Sequence, residues 1–148
     1  MITFETEVSI RRSSEAVFRF VADGQNAPLW NSAVRAVSKI TDGDVAVGTR
    51  YHMVRELPMG RVENTYQVVE HDPHETYSIM TLTGPTPFRY RYRFEATEQG
   101  TRVRLAGDAQ LGGVAGLLGR LAAATVRKGV DANLQTLKRL LESGETIR

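Results

Sequence analysis

The sequence predicts an α+β fold, a curved antiparallel sheet of about six to seven strands wrapped around a long C-terminal helix. Three observations carry that prediction. Apolar and polar residues alternate with period two in short segments between Ile2 and Leu111. Turn residues separate those segments, and only one short helical stretch interrupts them, near the start. The final segment instead repeats its apolar residues at helical spacing. Strands in succession without helices between them form a meander, and an amphipathic helix that follows must bury its stripe on the concave face.

The first strand, Ile2 to Ile10, alternates Ile2, Phe4, Val8 and Ile10 with polar neighbours. Ser13 or Ser14 offers an N-cap, and Glu15 suits the first turn of a helix from Glu15 to about Ala22. Val17, Phe18 and Val21 give that helix one apolar side. A broken segment through Asn26, Pro28 and Trp30 leads into a strand from Val34 to Ile40. Asp42-Gly43-Asp44, Gly48 and Asp72-Pro73 are turn signals. Around them lie strands at Arg50 to Leu57, Arg61 to Glu70, Tyr77 to Leu82 and Phe88 to Ala96. Glu98-Gln99-Gly100 closes a hairpin into Thr101 to Leu111. Val126, Val130, Leu134, Leu137 and Leu141 then form one helical stripe, with Arg127, Lys128, Lys138 and Arg139 off it.

The chain has 148 residues, 41% of them apolar and 24% charged, which suits one domain over residues 1–148 with a core of its own. Nineteen Lys and Arg against seventeen Asp and Glu leave a net charge of +2, too small to predict a nucleic-acid partner. Without cysteine there is no disulfide, no thiolate nucleophile and no cysteine metal site. The start, Met1-Ile2-Thr3-Phe4-Glu5, lacks the basic and apolar stretches of a signal peptide. The most apolar window, Leu111 to Val126, is broken by Arg120 and four glycines and is shorter than the roughly 20 residues of a spanning helix. The expectation is a cytoplasmic protein with no transmembrane segment, monomeric or homodimeric.

Five stretches have a resemblance in order and spacing. Ser13-Ser14-Glu15-Ala16-Val17-Phe18-Arg19-Phe20-Val21-Ala22-Asp23, followed by Leu29-Trp30, looks like a first helix. Val47-Gly48-Thr49-Arg50-Tyr51 looks like the strand after the first turn, and Tyr66-Gln67-Val68-Val69-Glu70-His71-Asp72-Pro73 like a strand ending in an Asp-Pro turn. Gly100-Thr101-Arg102-Val103 and Asn133-Leu134-Gln135-Thr136-Leu137-Lys138 complete the set. Together they resemble the START-like (SRPBCC) superfamily, within it the polyketide cyclase/dehydrase and lipid-transport group. The resemblance implies a helix-grip fold around a ligand cavity. It does not choose between carriers, enzymes and interaction modules, because fold alone does not set function. Aromatase members line the cavity with arginine and serine or threonine. Here the strand Arg61 to Glu70 carries Glu70 and no arginine near its Asp-Pro end, so no catalytic residue is carried over.

The strongest local signal is Phe88-Arg89-Tyr90-Arg91-Tyr92-Arg93-Phe94, where alternation sets four aromatics opposite three arginines. With the aromatics turned to the helix, Tyr90 and Tyr92 join Tyr51, Met53, Tyr66, Val68 and Ile79 as a cavity wall. Leu117, Leu121 and Val130 close it from the helix, and Trp30 lies at one end, either as a core plug or as a ligand contact. Two polar side chains share the inward parity. Arg55 either orients a ligand carbonyl or carboxylate or reaches solvent where its strand ends; Asn64 is either a ligand contact or a satisfied structural amide. Arg89, Arg91, Arg93, Arg102 and Arg104 make a basic outer face, read as a solvated surface paired with glutamates rather than a phosphate site. His71 and His74 beside Asp72 lack the further ligands a metal needs, so no metal and no cofactor is expected.

Three functional readings follow. The first is binding or transport of a small apolar ligand, lipid or polyketide-like. The second is a polyketide cyclase or dehydratase that folds its substrate and places Tyr, Asn or Arg donors against an enolate. The third is a protein-interaction module using the glycine-rich helix or the arginine face.

Overall fold

The computed structural model describes residues 2–58, 60–110 and 116–143, with the backbone alone over 116–119. In chain order the elements are β1 (Ile2–Ile10), α1 (Ser14–Ala22), a 3-10 turn (Gly24–Asn26), α2 (Ala27–Trp30), β2 (Val34–Lys39) and β3 (Arg50–Leu57). They continue with β4 (Gly60–Asp72), β5 (Thr76–Thr83), β6 (Phe88–Thr97), β7 (Gly100–Ala109) and α3 (Gly116–Ser143). The strands form one curved antiparallel sheet in the order β1-β7-β6-β5-β4-β3-β2, so β2 to β7 meander and β1 pairs with β7.

Local signals hold where side chains settle them. Ser13 caps α1, its hydroxyl accepting from the Ala16 amide at 3.2 Å. The strand ends move by one or two residues. β4 runs past the expected Glu70 to Asp72: its register shifts between Val68 and Glu70, pairing resumes with Glu70 opposite Ser78, and it continues to Asp72 opposite Thr76. β7 stops at Ala109, and Leu111, Gly112 and Gly113 lie outside the described residues.

The sheet grips the second half of α3. Leu134, Leu137 and Leu141 are buried in the main core. β1 and the residues after it hold the helix by polar contacts as well. The Thr6 hydroxyl donates to the Asp131 carboxylate, and Lys138 Nζ donates to the Ser9 carbonyl at 2.6 Å. The Arg12 guanidinium donates to the Leu141 carbonyl at 2.8 Å, satisfying an acceptor that the helix end leaves unpaired. Hydrogen bonds from Lys138 and the Arg11 amide hold the Glu142 carboxyl below its usual range. In contrast, no residue from 120 to 133 is fully buried.

Strand register explains the difference by dividing the concave face. Ile10, Tyr51, Val68, Tyr77, Phe94 and Val103 occupy the end where α1 and the α3 leucines pack. Phe18 of α1 meets Phe94 edge-on there at 5.2 Å between ring centres. Met53, Arg55, Phe88, Tyr90 and Ala109 lie toward the opposite end, beneath the less buried half of α3. Gly107 makes room in that region. A Cβ on it would lie 2.5 Å from the Phe4 ring and 2.8 Å from Tyr90, rings that meet edge-on at 5.7 Å.

Candidate functional site

A cavity of about 460 Å³ lies between the sheet and the first half of α3, within the size range of small-molecule sites. Its sheet wall comes from Met53 and Arg55 of β3, Tyr66 of β4, Tyr77 and Ile79 of β5, Phe88, Tyr90 and Tyr92 of β6, and Leu105 and Ala109 of β7. These positions share one face because inward residues recur at every second step along each strand. Val126, Gly129, Val130 and Asn133 face them from α3. Trp30, at the end of α2, is buried and meets Tyr92 edge-on at 6.4 Å.

Glycine and asparagine set the turn that carries Trp30. Gly24 opens the 3-10 turn against two tyrosines; a Cβ there would collide with the Tyr66 hydroxyl and lie 3.0 Å from the Tyr51 ring. The Asn26 side chain then donates to the Phe20 carbonyl at 3.1 Å. After α2, the Ser32 amide donates to Asn133 Oδ1 at 3.1 Å, and Asn133 Nδ2 donates to Asn31 Oδ1 at 3.2 Å. This polar clasp ties α3 to the α2–β2 connection beside the cavity.

The wall is apolar in area but carries donors. The hydroxyls of Tyr66, Tyr77, Tyr90 and Tyr92 donate to no described residue. Burial pushes all four above the ordinary tyrosine range, so they stay protonated as donors. Arg55 weakly opposes the shift at Tyr90. Arg55 itself points inward. Its Nη2 donates to Asn64 Oδ1 at 2.7 Å and to Thr86 Oγ1 at 2.6 Å, and its Cζ lies 5.1 Å from the centre of the Phe88 ring.

Eight of the residues expected at the cavity line it: Trp30, Met53, Arg55, Tyr66, Ile79, Tyr90, Tyr92 and Val130. Four are placed differently. Tyr51 and Val68 face inward but are fully buried in the core and do not line the cavity. Asn64 is the structural amide: its Nδ2 donates to the Thr83 and Pro85 carbonyls at 3.1 and 2.7 Å, leaving Oδ1 for Arg55. Leu121 does not close the cavity; it is 57% exposed. Nine residues before Val130 amounts to two and a half helical turns, which puts it on the opposite side of α3. The Leu117 side chain lies outside the described residues.

Several wall residues carried no sequence signal of their own. By sequence Tyr77 is the start of a strand, Thr86 lies in a turn, and Asn133 stands in a motif without a role. Gly24 has a readable signal, since a glycine just past a helix end allows a close approach as well as a break.

The outer face agrees with the solvated reading. Arg89, Arg91 and Arg93 are exposed. Arg91 pairs with Glu70 at 3.0 Å, Arg102 with Glu95 at 3.0 Å, and Arg104 with Glu7 at 3.9 Å. His71 and His74 meet the Phe18 ring edge-on, and the described residues contain no cluster of three metal-ligating groups. No helix among them is long and apolar enough to cross a membrane.

A family model described as polyketide cyclase / dehydrase and lipid transport matches residues 1–142. Solved structures share the fold at low identity. A crystal structure from Deinococcus radiodurans is 17% identical over 97% of this chain and 99% of that one, with a TM-score of 0.75. A START superfamily protein from Mycobacterium smegmatis is 14% identical over 95% of this chain and 99% of that one, with a TM-score of 0.73. The di-domain ARO/CYC StfQ from the steffimycin biosynthetic pathway is 15% identical; the match covers 96% of this chain and 51% of that one, with a TM-score of 0.76. No curated protein matches the chain.

Proposed function

This chain belongs to the polyketide cyclase/dehydrase and lipid-transport family, and we propose that it holds one small, largely apolar molecule in the cavity under α3. The observation that carries this reading is the wall itself. Trp30, Phe88 and four tyrosines surround a space of about 460 Å³, and the tyrosine hydroxyls have no partner among the described residues. Aromatic faces supply contact area, while hydroxyl donors fix the orientation of a carbonyl or hydroxyl on the guest.

A cyclase or dehydratase is the second reading, and the tyrosines with Arg55 are the donors it would place against an enolate. Such a reaction also needs a group to accept a proton. Among the described lining residues the one carboxylate is Glu56, which lies 3.9 Å from Arg35 and 3.5 Å from Arg61. Burial keeps the tyrosines neutral. The lining therefore favours holding a molecule over abstracting a proton from it.

Native mass spectrometry of freshly purified protein tests the proposal. The expected spectrum contains a complex with one small molecule, which extraction identifies as mostly apolar. A protein that purifies empty and takes up nothing from a panel of fatty acids, sterols and aromatic polyketides contradicts it.

A further inference from the structure

The cavity holds a cation that no described residue neutralises. Arg55 lines the cavity, and no carboxylate of a described residue lies within ion-pair distance of its guanidinium. Neighbouring Glu56 is turned to Arg35 and Arg61. All the hydrogen bonds of Arg55 to described residues run through Nη2, to Asn64 Oδ1, Thr86 Oγ1 and the Thr86 carbonyl. Its Nε is buried with no acceptor, and Nη1 donates to no described residue. A buried donor left without a partner is costly, and a buried charge without a counter-charge more so.

The surroundings hold this arginine in place rather than neutralise it. Asn64 is fixed by the Thr83 and Pro85 carbonyls, so its Oδ1 is aimed at Arg55. Thr86 reaches the guanidinium from a turn in which its own φ is +52°, an uncommon value for a β-branched residue. Gly84, at φ +97°, lets that turn close; a Cβ there would collide with the Glu63 carbonyl. The Phe88 ring lies under the guanidinium; Nε is covered by protein, which leaves Nη1 as the unpartnered nitrogen that a ligand can reach.

We propose that Arg55 is the head-group site of the cavity and that the natural guest is an amphipathic acid, a carboxylate-type anionic oxygen on an apolar body. This rests on the cavity reading and narrows it. The carboxylate accepts from Nη1, the reachable donor that no described residue uses, a charge-assisted contact in a dry setting. The aromatic wall of Tyr66, Tyr90 and Tyr92 receives the body.

Matched pairs of probes test it: decanoic acid against methyl decanoate, and 2-naphthoic acid against methyl 2-naphthoate, by isothermal titration calorimetry on the intact protein. The acid of at least one pair is expected to bind about tenfold or more tightly than its ester. Arg55→Met is expected to remove that preference, so that the acid and ester of a pair bind within about threefold of each other. Arg55→Lys, which keeps the charge, is expected to retain a preference for the acid. Circular dichroism checks that each variant folds, and the comparison on the unmodified protein needs no variant. Equal binding of acids and esters to the unmodified protein, or an acid preference that survives in a folded Arg55→Met protein, overturns the head-group site and leaves the cavity reading standing. If neither acids nor esters bind, the cavity reading fails and the head-group site with it.

Discussion

Titration to high pH is expected to unfold this protein in one step rather than ionise its tyrosines one at a time. The chain has five tyrosines, and burial raises all five above the ordinary range. At Tyr51 the neighbouring Gly24 backbone opposes the shift in part. Below about pH 10 the folded and unfolded chains both keep these protons, so the shifts cost nothing. Above it the unfolded chain gives them up while the fold retains them, and stability falls as pH rises. Each tyrosine held neutral contributes a slope of about 1.4 kcal/mol per pH unit, so the four at the cavity together contribute about 5.6 kcal/mol per unit. A domain is stable by only about 5–15 kcal/mol, so unfolding is expected within roughly one to three units above pH 10. Tyrosinate absorbance and circular dichroism, followed in one titration, should change together. Two or more tyrosines ionising near pH 10 with the fold intact would place those hydroxyls in solvent and contradict the described wall.

The second large effect lies at the other end of the molecule. Leu137 is fully buried between the sheet and its neighbours on α3. Leu137→Ala is expected to cost about 2–5 kcal/mol, the range for deleting a core leucine side chain. Chemical denaturation measures it. A loss under about 0.5 kcal/mol, the usual size of a surface effect, would mean that the sheet does not grip this helix. Val130 serves as the internal control. It lies on the same stripe but is only partly buried at the cavity, so Val130→Ala should cost less.

The contrast between these two positions explains what the sequence could and could not reveal. Period two in the strands correctly assigned faces: Phe88, Tyr90, Tyr92 and Phe94 turn inward, and Arg89, Arg91 and Arg93 turn outward. Period does not report depth along a strand. Tyr51 and Arg55 share a face four residues apart, yet Tyr51 is fully buried in the core and Arg55 lines the cavity, a difference set by what packs over each position rather than by the alternation. Leu121 is apolar and in the helix that borders the cavity, but composition does not report which side of a helix a residue occupies, and it is exposed. The Arg55 socket was half readable. Parity brought Arg55 and Asn64 to one face, but Thr86 reaches them from a turn whose path depends on a close approach between distant backbones.

Trp30 tests the central claim most directly, because it is the chain's only tryptophan and it lines the cavity. Its indole N–H donates to no described residue, so a guest in the cavity changes the contacts and polarity around the ring. Fluorescence is measured while a small apolar molecule is titrated in, with calorimetry on the same samples to count bound molecules. Emission is expected to change saturably at one molecule per chain, and Trp30→Phe should weaken binding while the fold is retained. Binding counted by calorimetry with no change in Trp30 emission would put the guest elsewhere on the protein and contradict the assignment of this cavity as the binding site.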